Sequence, residues 1–308
     1  SVIMSIYNEP EDWIKSSISS ILNQTFKDFE FIIINDNPSK KLNSRILNYY
    51  KFVDSRIIVI TNKKNIGLTK SLNIGIKRSS RKYIARMDAD DISLKNRFES
   101  QFNFLENNLD YILCGSSLIS FNNKTSREIK LPCEDRDIKT KLLLANCIAH
   151  PSVMLRSYVF KKHNILYDEN IKKSQDYNLW VRISHLGRFK NLKNPYIKYR
   201  LSDNQISKIN YPTQYHYSRL NRKLYIDKYF KRLNIDIAHE KSFNKILRLN
   251  IPSNIRETFI SAYMLFNDKH KIRVYLMFLF RLNFLLNISI HKFLFVDVIN
   301  KFKFNVKN

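Results

Sequence analysis

Residues 82–91 read KYIARMDADD, an apolar run that passes directly into three carboxylates, and this stretch decides the fold. Lys82–Met87 has the composition of a short buried strand, so Asp88, Asp90 and Asp91 stand where that strand is predicted to end. Carboxylates packed this closely repel one another unless a cation or solvent neutralises them. Mg²⁺ and Mn²⁺ prefer oxygen ligands and commonly bind carboxylates together with substrate phosphates. The pair Asp88 and Asp90 is therefore a candidate metal site.

A helix cap is the structural alternative for this acidic cluster. A helix is predicted near Leu94–Asn107, and either Asp90 or Asp91 could cap its N-terminus. The position of the cluster beside other polar loops favours the metal site.

Upstream of the cluster, short apolar runs alternate with segments of helical periodicity. The predicted strands are Val2–Tyr7, Phe31–Ile34, Arg56–Ile60 and Lys82–Met87, and helices are predicted over Glu11–Asn23, up to Tyr50, and over Leu68–Ile76. Such alternation implies an α/β fold with a largely parallel sheet between helices, in which ligands bind at the carboxyl ends of the strands. Polar residues follow each predicted strand, at Asn8-Glu9, Asp36, Asn65–Gly67 and Asp88–Asp91. We therefore predict that four separate segments meet at one edge of the sheet.

The rest of the chain has two parts. Strands are predicted at Tyr111–Phe121, Val153–Leu155 and Tyr196–Leu201, and a helix at Gln175–Leu186. From about Tyr211 the sequence becomes basic and helical, and the chain from Lys208 onward holds 19 Lys and Arg against 6 Asp and Glu. We place a domain boundary near residue 205, followed by a basic helical region over 206–308.

The whole chain is strongly basic, with 53 Lys and Arg against 27 Asp and Glu and a formal net charge of +26. This excess indicates either an anionic partner or only the lysine-rich composition that an AT-rich genome produces. The sequence predicts no signal peptide and no apolar run of about 18 residues that would span a membrane. Cys114, Cys133 and Cys147 lack C-x-x-C spacing and suit a reducing compartment. These features favour a cytoplasmic protein.

Motifs in the first hundred residues resemble those of family 2 glycosyltransferases in order and spacing. They are Val2–Pro10 (VIMSIYNEP), Ser20–Thr25 (SILNQT), Phe31–Asp36 (FIIIND), Asn65–Asn73 (NIGLTKSLN) and Tyr83–Asp91 (YIARMDADD). The resemblance covers roughly residues 1–205. It implies the GT-A fold, a Rossmann-like, mostly parallel sheet flanked by helices, with a nucleotide-sugar half over about 1–110 and an acceptor half over about 111–205.

The resemblance also implies roles on the donor side. Asp36 matches the residue that recognises the nucleotide base, commonly uracil, although Asn35 stands where the family often has a second aspartate. Asp88 and Asp90 match the D-x-D pair that binds Mn²⁺ or Mg²⁺ beside the diphosphate. The donor-binding set predicted in this way is Tyr7, Asn8, Glu9, Asp36, Asn65, Lys70, Arg86, Asp88 and Ala89.

On the acceptor side, Gln175–Trp180 (QDYNLW) resembles the family's E-D-Y-D-L-W segment. Asp176 falls on the position of the base that deprotonates the acceptor hydroxyl, which a carboxylate can do within hydrogen-bond reach. A helix cap is again the structural alternative for Asp176. His150 and Gln175 are predicted to lie near the acceptor.

Two further differences qualify the resemblance. Tyr199-Arg200 is similar to the family's Y-R-x-H segment, but Ser202 replaces the histidine, which leaves open a third protein ligand for the metal. The Q-x-x-R-W motif and the transmembrane helices of processive relatives are not evident in the sequence. We therefore expect transfer of a single sugar.

The resemblance implies an inverting transferase that moves a sugar from a UDP-sugar to a saccharide or lipid-linked saccharide for cell-surface polysaccharide synthesis. The apolar stretches Val274–Phe280 and Phe284–Phe295 would either lie on an anionic membrane, at the inner face of the bacterial cytoplasmic membrane, or pack on the catalytic domain. Two other functions stay as alternatives. A nucleic-acid-binding protein would carry a recognisable binding motif, and a nucleotidyltransferase would carry a triphosphate loop near Asn8.

Overall fold

The computed structural model describes residues 1–143, 145–202 and 211–232. The strands are β1 Val2–Ile6, β2 Phe31–Asn35, β3 Ile57–Thr61, β4 Tyr83–Asp88, β5 Ile92–Ser93, β6 Tyr111–Phe121, β7 Ser126–Ile129, β8 Met154–Arg156 and β9 Arg188–Arg200. The helices are α1 Glu11–Leu22, α2 Lys41–Val53, α3 Leu68–Arg78, α4 Arg97–Asn107, α5 Asp135–Leu142, α6 Tyr158–Lys161, α7 Gln175–Ile183 and α8 Tyr211–Arg232, with a 3₁₀ helix at His150–Ser152.

Within the described residues, the sheet has nine strands in the order β3-β2-β1-β4-β8-β6-β9-β5, with β7 paired to β6. The first four strands in this order are mutually parallel, as the alternation of strands and helices predicts. The second half is mixed, because β8 runs antiparallel to both β4 and β6. All nine strands lie in a compact unit formed by Ser1–Lys139 and Asn146–Asn221. The mixed α/β architecture agrees with the predicted fold class.

The parallel half has its core on both faces of the sheet. Every residue of β2 is buried, which explains why this strand is a continuous apolar run rather than an alternating one. Helix α3 packs closely on β1, and a Cβ atom at Gly75 would lie 2.5 Å from Cγ2 of Ile3. Only glycine permits this approach of helix to strand.

The register brings the carboxyl ends of the parallel strands to one edge. Ser5 of β1 is opposite Asp88 of β4. On the other side of β1, Ile6 is opposite Asn35, and Asn35 is opposite Thr61 of β3. The loops that follow these strands therefore start from neighbouring positions, so the predicted convergence at one edge is confirmed.

Two predictions about single elements need correction. The strand predicted at Tyr196–Leu201 is the end of the longer strand β9, which pairs with β6 over most of its length. The helix predicted from Leu94 begins at Arg97, because Ile92 and Ser93 form β5 and pair with β9 instead. Neither Asp90 nor Asp91 is therefore the cap of that helix, and the cap interpretation of the cluster is wrong.

Part of the basic C-terminal region lies outside the described residues. The boundary predicted near residue 205 falls in the interval 203–210, and the apolar stretches Val274–Phe280 and Phe284–Phe295 fall after residue 232. The division at 205 and the membrane contact of the tail stay predictions. Among the helices of the described residues, none has the length and apolar character that crossing a bilayer requires.

Candidate active site

The carboxylates of Asp88, Asp90 and Asp91 form a compact cluster at the end of β4. One oxygen from each lies within 4.8 Å of the others, which is the spacing of groups that can share one cation. Asp88 and Asp90 are half-buried, and Asp91 is almost completely buried. The sequence predicted two of these as ligands, and the structure adds Asp91 as a third candidate.

The backbone of β9 holds this cluster from the other side. The backbone N–H of Arg200 donates to Oδ1 of Asp91 at 2.8 Å, and its Nε donates to the carbonyl oxygen of Asp90 at 2.8 Å. The Arg200 guanidinium lies 4.7 Å from the ring centre of Trp13 and 4.6 Å from that of Phe121. Arg200 therefore supports the acidic cluster, a role that the sequence did not predict.

The electrostatics of the cluster suit a cation. Burial, together with the charge of Asp88, raises the pKa of Asp90 to about 7 and raises that of Asp91 as well. Oδ2 of Asp91 is buried and has no hydrogen-bond partner. Buried acceptors normally have a partner, so this oxygen is available to a ligand. The three residues therefore fit Mn²⁺ or Mg²⁺, which take oxygen ligands.

Arg86 is a buried cation beside the cluster. Its side chain is 5% exposed, and Nη1 forms an ion pair with Oδ2 of Asp88. Its Nε is also buried and has no hydrogen-bond partner. A guanidinium with an unused donor and a carboxylate partner can serve an anionic ligand, as its predicted role near the phosphates requires.

The loop after β1 is ordered around Glu9. Its carboxylate accepts a hydrogen bond from the backbone N–H of Tyr7 at 2.8 Å, and Nζ of Lys40 donates to its carbonyl oxygen at 2.9 Å. Burial raises the pKa of Glu9, and the charge of Asp88 adds to the rise. Glu9 therefore lies within electrostatic reach of the acidic cluster. Tyr7 and Asn8 are exposed, so their side chains are open to a ligand.

Asp36 is buried and organises a second loop. Its carboxylate accepts hydrogen bonds from Nδ2 of Asn62 at 2.8 Å and from the backbone N–H groups of Ile66 and Gly67, both at 2.9 Å. Gly67 has φ of +87°, a conformation that favours glycine. The direct contacts of Asp36 thus hold the loop at 62–67, and its recognition of a base stays a prediction.

The remaining predicted donor residues are placed as follows. Asn65, in the loop held by Asp36, is exposed, and Lys70 is exposed on the first turns of α3. Ala89 is buried between the metal-ligand candidates Asp88 and Asp90. Their roles in donor binding stay predictions.

Asp176 lies in the first turn of α7. Its Oδ2 accepts a hydrogen bond of 2.7 Å from Nδ2 of Asn146. Burial raises the pKa of this carboxyl, while the backbone N–H of Tyr177 and the charge of Arg86 oppose the rise. The helix begins at Gln175 and its cap position is Ser174, so the cap interpretation of Asp176 is wrong. A half-buried carboxyl with a raised pKa suits a general base.

His150 and Tyr167 form a buried pair. Nε2 of His150 and the hydroxyl of Tyr167 are 2.6 Å apart, and the His150 ring centre lies 6.0 Å from that of Trp180. Asn73 of α3 holds Tyr167 through both backbone groups, accepting from its N–H at 3.0 Å and donating to its carbonyl at 3.0 Å. Burial lowers the pKa of His150 well below its ordinary value, and the charge of Arg86 adds to this effect.

The sequence did not single out Tyr167, Asn146 or Asn73 for this region. Asn73 is the last residue of the NIGLTKSLN segment, so the resemblance could have indicated it. Tyr167 and Asn146 stand in stretches whose pattern is neither helical nor strand-like. Their roles follow from contacts with residues far away in the chain.

Arg86 connects the two halves of the candidate site. It pairs with Asp88, and its charge also lowers the pKa of Tyr167 and of Asp176 against the larger effect of burial. The acidic cluster and the carboxyl of Asp176 therefore lie within electrostatic reach of one buried guanidinium. The acidic cluster can hold a cation together with an anionic ligand, and the carboxyl of Asp176 can accept a proton nearby.

Comparison with known proteins identifies relatives for most of the chain. The family model described as Glycosyl transferase family 2 matches residues 1–230. An uncharacterised glycosyltransferase of Methanocaldococcus jannaschii is 41% identical over 226 residues, which are 71% of this chain and 77% of the relative. The O-antigen biosynthesis glycosyltransferase WbnJ of Escherichia coli is 35% identical over 216 residues, 68% of this chain and 82% of WbnJ.

A solved structure has the same fold. The crystal structure of S. aureus TarS 1–349 in complex with UDP-GlcNAc aligns with a TM-score of 0.61 at 16% identity, over 87% of this chain and 73% of TarS. At this identity the likeness concerns the fold. It agrees with the predicted GT-A architecture.

Proposed function

The chain belongs to glycosyl transferase family 2, and from this premise we propose that it is an inverting, metal-dependent enzyme that transfers one sugar from a UDP-sugar to a hydroxyl acceptor. The acceptor is a saccharide or a lipid-linked saccharide, and the product enters cell-surface polysaccharide synthesis. The observation that carries the proposal is the arrangement around Arg86. A three-carboxylate cluster and a separate carboxyl with a raised pKa lie within reach of one buried cation.

On the donor side, Asp88, Asp90 and Asp91 would hold Mn²⁺ or Mg²⁺. The bound ion would stabilise the negative charge that develops on the leaving diphosphate. Arg86 adds a fixed positive charge at the same place without the cost of reorganising solvent. The exposed side chains of Tyr7 and Asn8 line the nucleotide pocket, and Asp36 acts on that pocket through the loop at 62–67.

On the acceptor side, Asp176 is the general base. The acceptor oxygen bonds to the anomeric carbon from the face opposite the diphosphate while the bond from that carbon to the diphosphate oxygen breaks. The hydroxyl proton passes to the carboxylate of Asp176. A raised pKa improves this carboxylate as a base, and the hydrogen bond from Asn146 orients it. Single inversion requires no covalent nucleophile from the enzyme.

The relatives support the donor and the pathway. TarS was crystallised with UDP-GlcNAc, and WbnJ is named for O-antigen biosynthesis. The net charge of +26 supports work at an anionic membrane, on the inner face of the cytoplasmic membrane where lipid-linked acceptors are presented. Family membership decides against the two alternatives, a nucleic-acid-binding protein and a nucleotidyltransferase.

A nucleotide-binding panel tests the donor side. UDP, GDP, CDP, ADP and several UDP-sugars are titrated by calorimetry in the presence and absence of Mn²⁺. We expect UDP and one UDP-sugar to bind more tightly in the presence of Mn²⁺ than in its absence. In Asp90→Ala, Mn²⁺ should no longer increase their affinity. Asp12→Ala, which makes the same change at an exposed carboxylate on α1, is the matched control and should bind as the wild type does. Metal-independent UDP binding in both wild type and Asp90→Ala would contradict the metal assignment.

The acceptor side is tested by turnover. Asp176→Asn should bind the UDP-sugar with wild-type affinity, whereas UDP release in the presence of acceptor or water should fall by about 10²-fold or more, as for loss of a general base. Normal turnover in this variant would remove Asp176 from the mechanism.

A further inference from the structure

Ser174 has an unusual backbone conformation immediately before the candidate base. Its φ of 56° and ψ of 33° lie in the left-handed helical region, which residues other than glycine seldom adopt. This residue is the cap position of α7, and Asp176 follows in the first turn. The direction in which the helix leaves the loop, and with it the placement of Asp176, therefore depends on Ser174 keeping this conformation.

Three residues on one face of helix α8 contact Ser174, two through their side chains and one through its backbone carbonyl. Oγ of Ser174 lies 2.9 Å from Oγ of Ser218 and donates to the carbonyl oxygen of Gln214 at 3.3 Å. Nδ2 of Asn221 donates to the carbonyl oxygen of Ser174 at 3.0 Å. Positions 214, 218 and 221 are spaced by four and three residues, so they share one face of a helix.

A further hydrogen bond joins α8 to helix α7 itself. Nδ2 of Asn178 donates to Oδ1 of Asn221 at 3.0 Å, and both asparagines are almost completely buried. The backbone N–H of Asn178 donates to the carbonyl of Ser174, which is the same oxygen that receives Asn221. Asn221 thus bridges the cap residue and the end of the first turn, with Asp176 between them.

We propose that α8 is a positioning element of the active site, whose Gln214–Ser218–Asn221 face holds Ser174 in the left-handed conformation and so places Asp176 against the acceptor. The inference rests on the proposed role of Asp176 as the base. Under this inference, the start of the basic C-terminal region is part of the catalytic unit and not an appendage to it. The compact unit that holds the sheet extends to Asn221, in agreement with this inference. Ser218 and Asn221 are positioning residues, since neither touches Asp176.

The test uses Ser218→Ala and Asn221→Ala in the full chain, with Leu220→Ala as the matched control. Leu220 is on the same helix and 44% exposed. Alanine has a higher helix propensity than serine or asparagine, so these changes do not weaken α8 itself. Three quantities are measured in each variant: hydrogen exchange of a peptide covering 174–182, UDP affinity with Mn²⁺, and turnover of the UDP-sugar chosen by the binding panel.

We expect exchange at 174–182 to accelerate by about tenfold in Asn221→Ala, as for loss of a buried hydrogen bond, and less in Ser218→Ala. Turnover should fall by a similar factor while the UDP affinity and the Michaelis constant for the UDP-sugar stay unchanged. A general loss of folding would instead lower UDP affinity. Leu220→Ala should match the wild type in all three measurements.

The outcomes separate this inference from the proposed function. If Asp176→Asn is inactive but both α8 variants exchange and turn over like Leu220→Ala, the positioning role of α8 is overturned and the base assignment stands. Faster exchange at 174–182 with unchanged turnover overturns it as well. If Asp176→Asn turns over normally, both the base and its positioning element are overturned.

Discussion

The guanidinium of Arg86 forms an ion pair with the carboxylate of Asp88, two residues further along β4. Alternate residues of a strand point to the same face, so the pairing is a direct result of the strand geometry. Arg86 is buried and Asp88 is half-buried, which leaves the carboxylate open to a ligand while the cation stays beneath it. The same cation lowers the pKa of Asp176 against the effect of burial.

Replacing Arg86 should change the pH dependence of turnover. Arg86→Met removes the charge that opposes protonation of Asp176, so the acidic limb of the turnover profile should move to higher pH. Arg86→Lys keeps the charge and should leave the limb near its wild-type position. The profile is measured between pH 5 and 9 at saturating UDP-sugar, and a limb that is unmoved in Arg86→Met would refute the coupling.

Metal affinity should depend on pH in the same range. Because the pKa of Asp90 is raised to about 7, the ion must displace a proton below that pH. We expect the dissociation constant for Mn²⁺ to fall by about tenfold between pH 6 and 8, with proton release visible when calorimetry is repeated in buffers of different ionisation enthalpy. Equal affinity at both pH values would contradict this expectation.

The metal-free protein should become less stable as the pH rises. The folded-state pKa of Asp90 is higher than its ordinary value of 3.8, so the folded state binds a proton that the unfolded state has lost. The resulting stabilisation is complete below about pH 4 and disappears as the pH rises through about 7. Thermal unfolding of Asp90→Asn should lack this component, which differential scanning calorimetry at several pH values would reveal.

Asp36→Asn should loosen the loop at 62–67. The amide can accept from one of the backbone donors but presents an N–H₂ group to another, which leaves a buried donor without a partner. We expect trypsin to cut faster after Lys63 and Lys64, both exposed, and UDP affinity to fall by about tenfold. Asp12→Asn is the control, and an equal cleavage rate in the two variants would show that Asp36 does not hold the loop.

Tyr167→Phe should destabilise the protein by about 1–3 kcal/mol, because His150 is left buried without its hydrogen-bond partner. The free energy of unfolding is measured by urea titration. Tyr158→Phe makes the same chemical change at a residue that is 39% exposed and should cost less than about 0.5 kcal/mol. Equal losses in the two variants would mean that the His150 contact contributes nothing.

Ser174→Gly and Ser174→Val should differ in turnover. Glycine adopts the left-handed conformation without strain and keeps the carbonyl that receives Asn221. It loses the Oγ contacts with Ser218 and Gln214, so turnover should fall only as far as in Ser218→Ala. Valine at a positive φ costs about 1–3 kcal/mol, and turnover should fall by about tenfold or more with UDP affinity unchanged. Similar turnover in both variants would show that the backbone conformation of Ser174 is irrelevant to the base.

The parallel part of the sheet and the acidic cluster at its edge could be predicted from the sequence because their geometry is local. Each strand of β1 to β4 is a short apolar run, each is followed by polar residues, and parallel pairing sends all four ends to one edge. The placement of Asp88 and Asp90 follows from their position at the end of β4 and directly after it. The sequence offered Asp91 only as a possible helix cap, because the pairing of Ile92 with β9 cannot be read from neighbouring residues.

The surroundings of Asp176 depended on the tertiary structure. Asn73 holds Tyr167 across 94 residues of sequence, and Asn221 holds Ser174 across 47. Such contacts leave no periodicity in the sequence, since each joins one side chain to a distant backbone group. The sequence by itself determined the family, the parallel sheet and the aspartates at its edge. Only the folded chain decided what surrounds Asp176, because burial and hydrogen bonding there come from segments that meet through the packing of loops rather than the pairing of regular strands.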